Sequence, residues 1–456
     1  MNETLNIQVE ELSEPLKLSL EPYISEEYAR AEGDKLWAKV WQHVGRVEEI
    51  PNVGDFISYE IGADSILVVR AAPDTIKAYH NVCSHRGRRL VEKAPGDHNA
   101  SGKRKLFVCG YHGWRYDLDG KCQHVLDRPD WKGSLTDACT RLSEVQVGAW
   151  GGWIWINMDP NCMPLRDFLE PAAGLLDPFA LEKMRYKWRQ WVVFDCNWKV
   201  ALEAFMEPYH VEATHPQFME YGDFYAWSRA HGLHGNDGFQ ERDPDLKMAA
   251  SSSITRAGKG KDARVSIAKL QDEIYRTVNA STTETLVNAA LRLVDELPEE
   301  TSAHDVHEHW MAAARRDDAA RGVTWPTVSA EQMGEAGLAW HLFPNLAILH
   351  GITFALCYRT RPYGADPNKC IFEAFAIERY PDGQEPKTEW VYAEATKEKW
   401  PAVLAQDFSN MAAVQQGMRS RGFRGPLPNP HQERKITNFH RNLTQYMRAG
   451  APRLLK

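Results

Sequence analysis

"CSHRGRRLVEKAPGDHNASGKRKLFVCGYHGW", residues 83–114, places two mixed couples in one stretch: Cys83-x-His85 and Cys109-x-x-His112. Two thiols and two imidazoles can hold a structural zinc ion, or a [2Fe–2S] cluster in which two histidines ligate one iron. Zinc fingers usually group like ligands, C-x2–4-C with H-x3–5-H, whereas each couple here mixes the two types. The alternation suits a cluster reached by two loops, each giving one thiolate and one imidazole. The basic, glycine-bearing "HRGRRL" and "GYHGWRYDLDG" add backbone N–H groups that can hydrogen-bond the sulfurs.

Outward from this stretch, Gly45 to about Asp159 reads as short alternating runs: "DFISYEI", "SILVVRA", "TIKAYHNV", "KLFVC" and "GGWIWINM". Gly, Asn, Pro and Asp punctuate them, which predicts a small all-β domain with the couples on its loops. Before it, residues 25–42 carry helical spacing behind Ser25 as N-cap. After it come strand patterns in "YKWRQWVVFDCNWKV", "HLFPNLAILHGITFALCYRTRP" and "CIFEAFAIERY". Helical patterns are interleaved at "KVALEAFMEPYHVEATH", 263–296, 304–321 and about 396–420, and the mixed order predicts an α+β chain. Residues 229–265, rich in Gly, Ser, Asp and Lys, read as surface loop. The expected division is an N-terminal helical segment at 1–42, a cluster domain at 43–160 and a larger domain at 161–456, with a loop and helix insertion at about 229–325.

Composition narrows the function. Over 456 residues, 43% are hydrophobic and 25% charged, and the net charge of -8 offers no basic footprint for nucleic acid and no polybasic membrane anchor. No apolar run approaches the ~20 residues needed to span a bilayer. "MNETLNIQVEELSEPLKL" lacks the apolar core of a signal peptide, so the expectation is a cytoplasmic protein. Of eight cysteines only Cys83 and Cys109 have partner histidines; the other six read as core or surface thiols. No P-loop and no G-x-G-x-x-G is present.

"EAFMEPYHVEATHP" carries a second candidate pair, His210 and His215. Five residues apart, they reach one metal only if the helix is locally distorted. A one-electron carrier upstream needs a destination, and two histidines with one carboxylate and open positions suit Fe(II) oxygen chemistry. His80, His98 and His124 fit neither couple and read as surface or loop residues; His304, His307 and His309 in "HDVHEHW" read as a solvated helix face.

C-x-H-R-G followed by C-x-Y-H-G-W resembles the Rieske iron–sulfur motif, with an intervening stretch, Arg86 to Val108, somewhat longer than usual. The resemblance extends over nearly the whole chain to the catalytic α subunits of ring-hydroxylating Rieske non-haem iron oxygenases. "NWK" at 197–199 and the following E-x-F-x-E-x-Y-H-x-x-x-x-H resemble their mononuclear iron motif. The resemblance implies a Rieske [2Fe–2S] domain with Cys83, His85, Cys109 and His112 as cluster ligands. It also implies a catalytic domain of the helix-grip type, an antiparallel sheet covered by helices, binding Fe(II) through His210, His215 and Asp407. Gln415, Gly417 and Ser420 fix the register of that aspartate, although Gln406 stands where an acidic residue often precedes it.

In the family a carboxylate at the position of Glu207 links an iron-ligating histidine to a Rieske histidine of the neighbouring subunit. It is usually Asp in dioxygenases and Glu in several monooxygenases. The resemblance further implies O2 as oxidant, electrons from a separate NAD(P)H-dependent reductase or ferredoxin, and a ring-shaped trimer, α3 or α3β3. The expected substrate is small, hydrophobic and aromatic, with hydroxylation (cis-dihydroxylation foremost) or N-/O-dealkylation as the reaction. Phe205, Met206, Val211 and Phe218 are candidate pocket residues, together with strand residues at 345–356.

Overall fold

A computed structural model describes residues 15–221, 225–240, 262–448 and 453–454. The runs that alternate in sequence form strands: β1 (Gln42–Arg46), β2 (Asp55–Ile61), β3 (Asp64–Ala72), β4 (Thr75–His80) and β5 (Ser101–Lys103). A three-stranded sheet of β6 (Phe107–Val108), β7 (Arg115–Tyr116) and β8 (Cys122–His124) follows, and then β9 (Glu144–Trp150) and β10 (Trp153–Asn157). The larger sheet has the order β1-β10-β9-β4-β3-β2-β5. Alternation works as the pleat demands: Phe56, Leu67, Val69, Tyr79 and Phe107 are buried in a core that also holds Cys83 and Cys109. These strands lie in a compact unit of residues 29–168 and 363–365, and the other described residues form a second unit.

In the second unit an eight-stranded sheet has the order β12-β13-β14-β15-β16-β17-β11-β18. Its strands are β11 (Arg185–Phe194), β12 (Ala226–His231), β13 (His234–Phe239), β14 (Ala339–Leu342), β15 (Leu346–His350), β16 (Phe354–Tyr363), β17 (Asp366–Glu378) and β18 (Val391–Tyr392). Strands β11 and β17 pair antiparallel along their length, from Arg185↔Glu378 to Phe194↔Cys370. Seven helices matter here: α1 (Trp198–Glu203), α2 (Val211–Thr214), α3 (Ala263–Val278), α4 (Glu284–Leu291), α5 (Ala303–Ala320), α6 (Ala402–Met418) and α7 (Arg434–Met447). Helix α7 lies on the β12–β13 hairpin, where Lys435 pairs with Asp237 and the Asn438 amide donates to the carbonyls of Gly232 and His234.

The fold corrects four expectations. Residues 226–239 are a paired hairpin inside the sheet, so the expected loop and insertion do not begin at 229; residues 241–261 lie outside the described residues. Strand β13, His234 to Phe239, contains glycines, Asn and Asp that disfavour strands in isolation, but close packing selects them. A Cβ on Gly238 would lie 2.5 Å from the Trp227 ring, and one on Gly235 would lie 2.6 Å from the Arg229 carbonyl. The helical pattern at 263–296 divides at Asn279 and Ser281, whose φ values of 53° and 59° no helix tolerates. The N-terminal helix starts as expected, with the Tyr28 N–H donating to Ser25 Oγ, but gives way to β1 at Gln42. Residues 1–14 lie outside the described residues. His98, read as a surface or loop histidine, is a loop residue but a buried one.

Candidate metal centres and substrate cavity

The two cluster loops repeat one backbone design. The Cys83 N–H donates to the Arg88 carbonyl (2.8 Å) and the Gly87 N–H to the Cys83 carbonyl (3.0 Å). The Cys109 N–H donates to the Trp114 carbonyl (2.8 Å) and the Gly113 N–H to the Cys109 carbonyl (3.0 Å). Each loop reverses at a glycine with positive φ, 75° at Gly87 and 70° at Gly113, which a side chain would strain. The duplicated geometry brings the His85 and His112 rings to 4.5 Å between centroids.

The donor set fits an iron–sulfur cluster. Cys83 and Cys109 are buried thiols with no disulfide, and His112 Nδ1 is buried without a hydrogen-bond partner. An orphaned buried nitrogen beside a second imidazole and two thiols fits a metal ligand. Burial, then the His112 imidazole and the Arg86 guanidinium, lower the His85 pKa, which favours the neutral ligating form. Two neighbours escaped the sequence reading. Tyr116 Oη accepts from the Ser84 N–H (3.1 Å) and so directs its proton at Cys83 Sγ, also 3.1 Å away. Trp114 stacks on His85, 4.9 Å between centroids and 5° between planes.

The second group is built by a broken helix. Helix α1 ends at Glu203, and Pro208, with no N–H and a ring that opposes the carbonyl four residues back, keeps the helix from resuming before α2. Its neighbour α2 is four residues long, with His210 at its N-cap and His215 at its C-cap. The break brings two histidines five apart toward Asp407 of α6: His215 Nε2 lies 2.9 Å and His210 Nε2 3.4 Å from Asp407 Oδ1. One ligand atom from each of the three lies within 4.8 Å of the others.

Both imidazoles are anchored through Nδ1, leaving Nε2 toward the shared point. His210 Nδ1 lies 2.9 Å from Glu207 Oε1, and Glu207 Oε2 accepts the His210 N–H at 3.0 Å. His215 Nδ1 lies 2.8 Å from Gln406 Oε1. The Gln217 amide donates to the same oxygen at 2.9 Å, orienting Gln406 as an acceptor. With Nδ1–H donated outward, Nε2 of each ring is the nitrogen that offers its lone pair to a metal once any proton on it has left, so the set fits a mononuclear iron. Burial lowers the His210 pKa, but its hydrogen bonds to the Asp407 and Glu207 carboxylates overcome it and push it up to about 10. A metal therefore displaces a proton to bind here. Burial opposes ionisation of Asp407, yet its bonds to both histidines bring its pKa below the usual carboxylate value.

The group lies on the wall of a cavity of about 350 Å³. Phe205, Val211 and Phe218 line it, as do Leu349 to Phe354 and Leu356; Met206 is fully buried and does not line it, because its side chain fills the core. His307 also reaches the cavity, contrary to the expected solvated face, while His304 is exposed and His309 pairs with Glu296 at 2.7 Å. Neither Lys nor Arg lines it among the described residues. The two glutamines and His307 were missed because their roles depend on contacts across the fold; only Gln406, next to Asp407, carried a local signal.

Comparisons with known proteins place these observations. Residues 40–132 match the Rieske [2Fe-2S] domain, and residues 181–449 match the ring hydroxylating alpha subunit catalytic domain. Over 187 residues the chain is 32% identical to the glycine betaine monooxygenase oxygenase subunit of Pseudomonas aeruginosa, covering 41% of this chain and 42% of that protein. Over 206 residues it is 35% identical to the large oxygenase component of the naphthalene 1,2-dioxygenase system of Pseudomonas putida, covering 43% and 44%. The matched stretches thus span less than half of these curated relatives. The fold is similar to naphthalene 1,2-dioxygenase with indole bound (TM-score 0.64, 20% identity, 99% of this chain and 96% of that one). It is also similar to a quaternary ammonium Rieske monooxygenase in complex with L-carnitine (TM-score 0.63, 17% identity, 98% and 99%).

Proposed function

The chain belongs to the ring hydroxylating alpha subunit family and carries a Rieske domain; from that premise we propose that it is a terminal oxygenase component hydroxylating a small hydrophobic, aromatic substrate with O2. The Rieske domain holds a [2Fe–2S] cluster and the catalytic domain a mononuclear iron. When bound, the cluster supplies single electrons and the iron activates dioxygen. We assign Cys83, His85, Cys109 and His112 to the first and His210, His215 and Asp407 to the second.

One observation carries the reading: His210, His215 and Asp407 converge on the wall of a cavity lined mainly by aromatic and aliphatic side chains and, among the described residues, by no Lys or Arg. Such a wall favours a neutral apolar molecule and excludes water from the reacting centre. Glu207 and Gln406 hold the imidazoles in the ligating tautomer. Without a nucleotide-binding motif in the sequence, NAD(P)H is consumed by a separate reductase or ferredoxin. Glu207 also serves as the polar bridge for electrons arriving from a neighbouring subunit, which makes the active form a trimer, α3 or α3β3. Among the described residues no helix is long and apolar enough to cross a membrane.

A second reading, monooxygenation with N- or O-dealkylation, has in its favour the similarity to glycine betaine monooxygenase and the glutamate at 207. The test is an iron count and low-temperature EPR on anaerobically purified protein, followed by product analysis with a surrogate reductase, NADH and naphthalene. Expected are about three irons per chain, a low average g for the reduced cluster, and a cis-dihydrodiol formed with O2 uptake. Zinc in place of iron, or two irons per chain, overturns the oxygenase. Demethylation of glycine betaine with naphthalene untouched selects the second reading.

A further inference from the structure

Polar groups on the cavity wall are mostly committed to protein partners. Glu207 bonds His210, Asp237 pairs with Lys435, and Gln271 Oε1 accepts from the Thr282 hydroxyl at 2.5 Å. Two groups are not. Both ring nitrogens of His350 and the hydroxyl of Thr353 are buried without a hydrogen-bond partner, in side chains 4% and 2% exposed. Both line the cavity that His210, His215 and Asp407 border. Buried donors and acceptors are paired in all but a few cases, so three orphaned atoms on one turn ask for a partner that is not protein.

Local structure holds the pair in place. His350 ends β15, Phe354 begins β16, and the Gly351 N–H closes the turn on the Phe354 carbonyl at 2.9 Å. A Cβ on Gly351 would lie 2.5 Å from the Phe354 ring, so any side chain there must displace that ring. The Phe179 ring meets the His350 imidazole edge-on, 4.4 Å between centroids, and the Thr353 carbonyl accepts the Arg379 N–H at 2.9 Å.

We propose that His350 and Thr353 form a polar subsite in this apolar cavity, recognising a neutral hydrogen-bonding substituent (a hydroxyl, carbonyl or amide) on an otherwise apolar substrate. A neutral imidazole offers one donor and one acceptor, and the threonine hydroxyl offers both, so a hydroxyl satisfies either residue. Burial holds the His350 pKa down at about 4 against the opposing pull of the nearby Ala336 backbone, which lies outside hydrogen-bond geometry, and leaves the ring uncharged at neutral pH. Among the described residues no Lys or Arg lines the wall to pair with a carboxylate substituent. The subsite rests on the oxygenase reading above and specifies its substrate class.

Equilibrium dialysis of the oxidised holoprotein against naphthalene, 1-naphthol and 1-naphthoate tests this without turnover. We expect 1-naphthol to bind at least tenfold tighter than naphthalene, and 1-naphthoate no tighter than naphthalene. Thr353→Val, which keeps the side-chain shape, and His350→Phe each reduce the naphthol preference to threefold or less, with naphthalene affinity changed less than threefold. Equal affinity for naphthol and naphthalene in the parent protein, a preference unchanged in both variants, preferential binding of naphthoate, or no binding of any probe overturns the subsite. The iron count and oxygen uptake decide the oxygenase reading separately, so the two fail independently.

Discussion

An imidazole has two nitrogens, and whatever holds one of them decides what the other can do. His210 and His215 are each held at Nδ1, by Glu207 and Gln406, so that both Nε2 atoms turn toward Asp407. Replacing Gln406 by Leu removes the acceptor at His215 and frees the ring to rotate. The expected result is iron binding weakened about 10- to 100-fold, read by competition with a chelator, whereas Gln406→Glu retains iron. Equal retention in the Leu variant would show that Asp407 and the cavity wall orient His215 unaided. The cluster couples were legible because the ligands of each couple are two or three residues apart in sequence. Tyr116, which directs its hydroxyl at Cys83 from 33 positions away, was not, and neither was Gln217 as the partner that fixes Gln406.

At the scale of elements, the iron group depends on a helix that stops. On an unbroken helix, residues five apart point about 140° away from one another. Pro208 interrupts the run, and the short α2 carries His210 and His215 at its two ends. Pro208→Ala restores the missing donor and permits α1 to run on. It is expected to lower iron bound per chain by at least half at limiting iron, with the melting temperature within a few degrees of the parent. Full iron retention in a folded variant would place the decisive constraint in the bonds to Glu207 and Gln406. The need for a distortion was readable from the five-residue spacing. The β12–β13 hairpin was not, because glycines and short polar residues look like loop until Trp227 and Arg229 are packed against them.

Across the whole molecule, burial sets the acid limit. His341, fully buried on β14, has its pKa lowered to about 3 by burial, with His234 and Lys435 adding to the fall and the Pro344 carbonyl opposing it. Between pH 3 and the unfolded value near 6.5, the unfolded chain binds the proton and the folded chain does not. Stability therefore rises with pH across this window and falls on acidification, by about 1.4 kcal/mol per pH unit for this residue. His341→Gln, which keeps a donor for the Pro344 carbonyl, is expected to lose less melting temperature than the parent between pH 7 and pH 5. An identical loss in both proteins would show that His341 is protonated on unfolding no more than on folding.

What the sequence by itself determined is whatever depends on short separations: the strands at 55–61 and 153–157, the two Cys–His couples, and the pair His210 and His215. Side-chain periodicity and loop chemistry act over a few residues, so they survive in one dimension. The tertiary structure decided what depends on partners far along the chain. It brought Asp407 to histidines nearly 200 residues earlier, turned Gln406 into an acceptor, moved His307 from an assumed solvated face to a cavity wall, and left the His350 ring nitrogens and the Thr353 hydroxyl without hydrogen-bond partners. Those outcomes follow from close packing and from the cost of burying an unpaired polar atom, and both are properties of the assembled chain.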